Sequence, residues 1–184
     1  MRRRMFAPVA LALLLGGCGG LRVTTDFNTT TDFTRYNTFG WMENTGRTND
    51  PRVSGDLMDQ RFRRAIESEL AAKGLQKMAS GQPDLLVGYQ ALLDERVDVR
   101  TVNTYWGNTW GYRGVYAGGV AATETYASEY TYGTLIIDVF DRSRKELVWR
   151  GAGEGRVDAA RDPAERQERI NEAVYQIFEA FPIR

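Results

Sequence analysis

Histidine is absent from this 184-residue sequence, and cysteine occurs only once, at Cys18. Histidine is the commonest general base and the commonest metal ligand in proteins, so its absence argues against histidine-dependent hydrolases and most transition-metal sites. A single cysteine excludes an intramolecular disulfide bond. We therefore expect no catalytic residues, no metal site and no cofactor.

Long apolar runs and an excess of one charge are also lacking. The apolar run at residues 5–15 is 11 residues long, whereas a membrane-spanning helix needs about 20. Without Arg2, Arg3 and Arg4 the chain carries 21 basic and 24 acidic residues. This balance gives no electrostatic argument for nucleic acid, or for anionic lipid, as the main partner.

The three arginines and the apolar run have the form of a signal peptide. The segment that follows, Leu15-Gly16-Gly17-Cys18, resembles the lipobox of bacterial lipoproteins. Its glycines let the backbone enter a peptidase cleft in extended form, and the thiolate of Cys18 is the nucleophile that accepts a diacylglyceryl group. We predict that residues 1–17 are cleaved off between Gly17 and Cys18, and that residues 18–22 form a lipidated tether.

Acyl chains on Cys18 would make the membrane the first partner of this protein, since each buried methylene contributes about 0.8 kcal/mol. The residue after the cysteine is Gly19 rather than the aspartate associated with inner-membrane retention. By resemblance to that sorting rule, we expect an outer-membrane anchor with the domain in the periplasm; the inner membrane and the cell surface stay open. The alternative is an ordinary cleaved signal followed by a chance cysteine.

Two helices are predicted in the remaining chain. Residues 57–73 carry an apolar stripe at helical spacing, with Ser54 as candidate N-cap and Gly74 as the stop. The second helix begins at Asp162-Pro163, a typical cap followed by proline at the first helical position, and ends at Pro182.

Alternating or apolar segments predict strands at residues 23–27, 38–42, 76–79, 85–102, 134–140 and 146–157. We therefore expect residues 23–184 to form one α+β domain, a two-layer sandwich with a mainly antiparallel sheet and two helices on one face. The last two strands show a consistent apolar face if Val139 opposes Trp149 and Ile137 opposes Gly151. The alternating glycines from Gly151 onward then leave room for a helix.

The same register places Asp138 opposite Arg150, two charges inside otherwise apolar strands. One interpretation is a structural ion pair that fixes the register. The other is a pair that contacts a ligand. Alanine at either position should destabilise the fold only in the first case.

Residues 103–126 combine aromatic residues with glycines, and we predict a hairpin tip there. Tyrosine and tryptophan offer large contact areas and can stack on sugar rings. The candidate contacts for a protein or glycan partner in the cell envelope are Tyr105, Trp106, Trp110, Tyr112 and Tyr116. The alternative is a tip whose rings pack on the domain's own flank.

Support for an enzyme is weak in the sequence. No histidine can activate a serine. Asp94, Glu95 and Asp98 could supply paired carboxylates, but they alternate with arginines as in a solvated strand. An envelope hydrolase with a non-histidine active site is therefore the alternative to a non-enzymatic binding or assembly module.

Several short motifs together resemble the domain of unknown function 4136, a family of small bacterial lipoproteins. They are Asp32-Phe33 with Tyr36, Thr38 and Trp41; Glu69-Leu70 with Lys73-Gly74; Asp84-Leu85-Leu86-Val87 with Tyr89; Gly133-Thr134-Leu135 with Ile137-Asp138; Leu147-Val148-Trp149-Arg150-Gly151; and Phe181-Pro182. The resemblance implies a lipid-anchored α+β domain facing the envelope, and it implies no reaction.

Overall fold

The computed structural model describes residues 20–105, 121–158 and 162–183, with side chains except those of residues 102–105 and 121–124. Within these ranges, no helix is both long and apolar enough to cross a bilayer. The strands are β1 (Arg22–Phe27), β2 (Thr38–Trp41), β3 (Arg47–Thr48), β4 (Gln76–Lys77), β5 (Leu85–Tyr105), β6 (Ala121–Asp141) and β7 (Glu146–Val157). The helices are α1 (Asp56–Ala72) and α2 (Pro163–Phe178).

The strands form one mixed sheet in the order β1-β7-β6-β5-β2-β4, with β3 also paired to β5. Strands β1, β7, β6 and β5 pair antiparallel, while β2, β3 and β4 form short parallel pairings of two or three residues. Both helices pack on one face of this sheet and against each other. The predicted α+β class with two helices on one face is therefore confirmed.

The start of α1 differs from the prediction. The N-cap is Gly55 at φ +91°, and the hydroxyl of Ser54 instead donates to the carbonyl of Pro51 in the preceding turn. The end agrees with the prediction: Gly74 has φ +84°, and the amide of Leu75 donates to the carbonyl of Leu70. The predicted apolar stripe faces the sheet and consists of Met58, Phe62, Ala65, Ile66 and Leu70.

The start of α2 is confirmed and its end is earlier than predicted. An oxygen of Asp162 accepts from the backbone amides of Ala164 and Glu165. The helix stops at Phe178 rather than at Pro182, and Phe181 follows outside it. The ring of Phe181 packs edge-on against Trp149 at 5.0 Å between centroids, so the departing chain still covers the core.

The predicted register of β6 and β7 is confirmed, with Asp138 opposite Arg150, Val139 opposite Trp149 and Ile137 opposite Gly151. The glycines admit α2: a β-carbon at Gly151 would lie 2.5 Å from Cγ2 of Ile177, and one at Gly153 would lie 2.9 Å from its Cδ1. These distances are shorter than carbon atoms tolerate, so the helix can approach β7 this closely only over glycine.

The predicted hairpin tip is shorter than expected. Residues 103–105 belong to β5 and residues 121–126 belong to β6. Neither segment contains glycine, and both contain threonine and tyrosine, which favour strands. Residues 106–120 lie outside the described residues. Within the described sheet, residues 96–105 and 121–130 pair only with each other, as ten rungs beyond the last pair with β7. We call this two-stranded extension the arm.

Replacing Gly151 with alanine should destabilise the protein by about 1–3 kcal/mol, because the new methyl group overlaps Ile177 and the ring of Trp149. Urea denaturation measures the change. Gly155→Ala is the matched control, since its methyl group would meet only Leu21, with the nearest atom at 3.2 Å. Equal stability of the two variants would contradict the role of Gly151 in helix docking.

Candidate binding face

The face of the sheet opposite the helices is open to solvent over part of its area. Side chains alternate along β5 and β6, so Val87 and Ile137 are buried beneath the helices while their neighbours point the other way. The half-buried side chains on this open face include Leu86, Gln90, Leu92, Ile136 and Phe140. A face of this kind, apolar and only partly covered, is available for contact with another molecule.

Residues 42–47 run along the edge of β5 and form one wall of a groove on the open face. The backbone amides of Met42 and Gly46 donate to the carbonyls of Val87 and Tyr89, at 2.9 and 3.0 Å, which holds this segment against β5. Gly88 provides the space beneath it, since a β-carbon there would lie 3.0 Å from the sulfur of Met42. The groove has a volume of about 430 Å³, and its lining includes Arg47, Leu86, Gln90, Asp138 and Phe140.

The structure brings Asp138 and Arg150 together at this groove. Nε and Nη2 of Arg150 donate to the two carboxylate oxygens of Asp138 at 2.6 and 2.8 Å. Asp138 is 8% exposed, whereas the side chain of Arg150 is about half exposed. The hydrogen bonds from Arg150 to the carboxylate raise the pKa of the arginine above its usual value. The pair therefore joins two strands and also shows one charged edge to solvent.

A second polar cluster lies on the open face where the arm leaves the sheet. The guanidinium group of Arg96 sits 3.9 Å from the ring centroid of Tyr132, and that of Arg156 sits 4.8 Å from the centroid of Tyr130. The two tyrosine rings meet edge-to-face at 6.5 Å. We call these four residues the Tyr–Arg ladder. Tyrosine and arginine are the residue types enriched at binding hot spots.

Most of the predicted contact residues lie outside the part of the chain that the structure describes. Tyr105 ends β5, and its side chain is not described. The other predicted residues lie outside the described residues: Gly17, Cys18, Trp106, Trp110, Tyr112 and Tyr116. The Tyr–Arg ladder was not predicted, although the two-residue spacing of Tyr130 and Tyr132 already places both rings on one face of β6.

Asp141, which the sequence did not predict as a functional or structural site, lies at the end of the sheet opposite the arm. Asp141 is 1% exposed and accepts hydrogen bonds from the hydroxyls of Tyr36 and Ser143, at 2.8 and 2.6 Å. Its carboxylate also accepts from Nη2 of Arg35 and from the backbone amide and Nε of Arg144. Burial alone would raise the pKa of Asp141, but the hydrogen bonds from Ser143, Arg144 and Tyr36 outweigh it and hold the pKa well below its usual range.

This network is structural, because all of its donors come from the protein itself. Arg35 and Tyr36 belong to the segment before β2, and Asp141 opens the turn between β6 and β7. The carboxylate therefore ties the early part of the chain to the sheet. Among the residues that the structure describes, no three or more acidic side chains converge where a metal ion could bind.

The protein is therefore a two-layer α+β domain, in which both helices cover one face of the sheet and the other face is open. The chain belongs to the family called domain of unknown function (DUF4136), whose model matches residues 23–183. The resemblance recognised in the sequence is therefore confirmed. No match to this chain was found among curated proteins.

Two solved structures are similar in fold. A DUF4136 family protein from Bacteroides thetaiotaomicron is 19% identical, with a TM-score of 0.52 over 89% of this chain and 96% of its own. A PDZ domain protein from Parabacteroides distasonis is 16% identical, with a TM-score of 0.55 over 88% of this chain. This chain spans 35% of the length of that protein. At these identities the likenesses show the fold alone.

Replacing Asp141 with asparagine should destabilise the protein at neutral pH by about 2–3 kcal/mol, because the hydrogen bonds that Arg35, Arg144 and Tyr36 donate would no longer reach a charged, buried carboxylate. The folded-state pKa of Asp141 lies below the unfolded value of about 3.9, so its contribution is complete above that pH and is lost as the pH falls further. Urea midpoints of the two proteins should thus differ from pH 8 to pH 5 and converge below about pH 4.

The matched control is Asp94→Asn, which changes an exposed carboxylate on β5. Its urea midpoint should follow that of the wild type throughout. A difference between wild type and Asp141→Asn that stays constant down to pH 3 would contradict an ionised Asp141.

Replacing Arg150 with alanine should cost about 1–3 kcal/mol of stability, because it leaves the buried carboxylate of Asp138 without this partner. Asp138→Ala should cost less, since the half-exposed Arg150 can turn into water. Thermal denaturation of the single and double variants measures both effects. Two single variants as stable as the wild type would assign the pair to ligand contact instead of structure.

Proposed function

We propose that this protein is an outer-membrane lipoprotein, anchored through acyl chains on Cys18, that binds a protein or glycan of the cell envelope without catalysing a reaction. The observation that carries the binding role is the open sheet face, where the groove, the Asp138–Arg150 pair and the Tyr–Arg ladder lie on the same side of the sheet. The other face is closed by both helices. Contact with a partner is therefore directed to one side of the domain.

The sequence supports the anchor. The three arginines, the apolar run and the Leu-Gly-Gly-Cys segment occur in the order that lipid attachment requires. Cys18 lies two residues before Gly20, where the described chain begins. The folded domain would thus start almost directly at the membrane surface.

The residue types on the open face support binding of a polar, extended partner. The tyrosines of the ladder present flat apolar surfaces that match sugar rings or extended peptides, while its arginines supply fixed hydrogen-bond donors. Arg96 and Arg156 are held in place by their contacts with the tyrosine rings, which reduces the conformational entropy lost on binding. A glycan or a protein segment fits such a surface better than a small, deeply enclosed substrate does.

The groove supports a non-enzymatic role. A general base needs a carboxylate that is free to take a proton. The groove is lined by two carboxylates, Glu43 and Asp138. Glu43 is exposed to water rather than enclosed, and both oxygens of the buried Asp138 already accept hydrogen bonds from Arg150. The described residues offer no observation that favours the alternative of an envelope hydrolase.

Cells fed a clickable palmitate analogue should incorporate it into the wild-type protein and not into Cys18→Ser. The purified wild type should then co-sediment with peptidoglycan sacculi. Tyr132→Ala and Arg96→Ala should weaken this binding about tenfold each, as expected for residues at a hot spot. Trp106→Ala and Trp110→Ala test the predicted tip in the same assay.

Tyr175→Ala is the matched control, because Tyr175 is an exposed tyrosine on α2 and faces away from the sheet. Its binding should equal that of the wild type. Binding that no tyrosine or arginine variant of the open face alters would reject this face as the glycan site, and capture of one envelope protein by cross-linking in intact cells would then identify a protein partner. An unlabelled wild type would reject the anchor.

A further inference from the structure

We propose that the arm, residues 96–105 and 121–130, lies along the surface of the bilayer that holds Cys18 over its length beyond the first rung, which belongs to the Tyr–Arg ladder. The inference rests on the lipid anchor of the proposed function, and it assigns the bilayer surface itself as the contact of this part of the chain. The observation behind it is that the anchor and the arm leave the sheet at the same end.

The start of the described chain shows where the anchor emerges. β1 runs antiparallel to β7, with Arg22 opposite Glu154, so the chain traced backward from Arg22 heads toward the end of β7 at Val157. Leu21 packs beside Gly155, with its Cδ1 3.2 Å from the position of a β-carbon there. Cys18 precedes Gly20 by two residues in the sequence, so the proposed anchor is separated from this end of the sheet by a short tether.

The arm begins at that same level of the sheet. Thr131 pairs with Val157 in the last rung between β6 and β7, and the next pair, Arg96 with Tyr130, is the first rung of the arm. From there ten rungs extend for about 33 Å, away from the helices and the core. Because the arm starts at the end of the sheet from which the chain leads back to Cys18, the arm is within reach of the bilayer. It can meet the bilayer in two ways, by entering the hydrocarbon region or by lying along the surface.

The backbone of the arm excludes entry into the hydrocarbon region. Within the described sheet each of its strands has one neighbour, so the outward N–H and C=O groups of both strands need water or lipid headgroups as partners. In hydrocarbon each unsatisfied group would cost several kcal/mol. Charged side chains add to this cost, as in the Arg100–Asp98 pair at 3.0 Å. The arm therefore stays at the interface.

The side chains of the arm fit an interface better than they fit water. Val97, Val99 and Tyr126 are 58%, 61% and 55% exposed. A two-stranded ribbon is only marginally stable alone in water, whereas apolar and aromatic side chains gain free energy in the headgroup region. Basic and acidic residues alternate along β5 of the arm, so the expected surface is zwitterionic rather than anionic.

The single cysteine of the natural chain makes a direct test practical, because acylation consumes its thiol. Ala127→Cys and Ser128→Cys place one new thiol each on opposite faces of the arm, at exposed positions. Gln82→Cys is the matched control at the other end of the sheet, about 40 Å away along the strands. Each full-length, lipidated variant is labelled with a polarity-sensitive fluorophore and reconstituted into phosphatidylcholine vesicles.

The expected result is a blue-shifted emission and several-fold stronger quenching by headgroup-spin-labelled lipid at position 127 or 128 than at position 82. Water-like emission at all three positions, in protein that floats with the vesicles, would overturn the proposal while leaving the anchor intact. The proposal would also be overturned if the fluorophores at positions 127 and 128 showed the same blue shift without vesicles, in protein that sediments as a dimer. In that case the arm would contact a second copy of this chain. Protein that does not float would reject the anchor itself.

Discussion

The close approach of α2 to β7 is the contact on which the rest of the structure depends. It requires glycine at 151 and 153, since a side chain at either position would overlap Ile177. The approach lets Phe178 stack on Trp149, with 5.3 Å between ring centroids, and covers one face of the sheet below the arm. Because both described helices lie on that face, neither of them covers the other face.

That division of the sheet explains where the functional residues lie. Residues that alternate with the core positions of β5 and β6 point outward. With residues 42–47 they line the groove, and with Arg156 of β7 they form the row of tyrosines and arginines. The side chains around Asp141 instead bind one another and tie the segment before β2 to the turn after β6. The Tyr–Arg ladder therefore faces outward, whereas the Asp141 network stabilises the fold.

Local patterns predicted the parts of the fold that depend on local chemistry. The apolar stripe of α1, the Asp162 cap and the register at Trp149 follow from periodicity and residue type over a few positions. The Asp141 network could not be predicted in this way, because Tyr36 lies 105 residues away in the chain. The groove likewise depends on the hydrogen bonds that hold residues 42–47 along the edge of β5, a long-range placement that no short motif encodes. The predicted tip was too long because glycine disfavours regular strands, whereas residues 103–105 and 121–126, before and after the glycines, belong to β5 and β6.

The two proposals also constrain each other. A tether of only a few residues and an arm along the bilayer would fix the domain at two places, at the edge strand β1 and along β5 and β6. Two separated contacts prevent the domain from rotating freely about its lipid anchor. The groove and the Asp141 network lie nearer the opposite end of β5 and β6 from the arm, and therefore away from the proposed membrane contact. A partner in the periplasm would then meet the groove in one orientation, and a bound domain held this way loses less rotational freedom than one on a flexible tether.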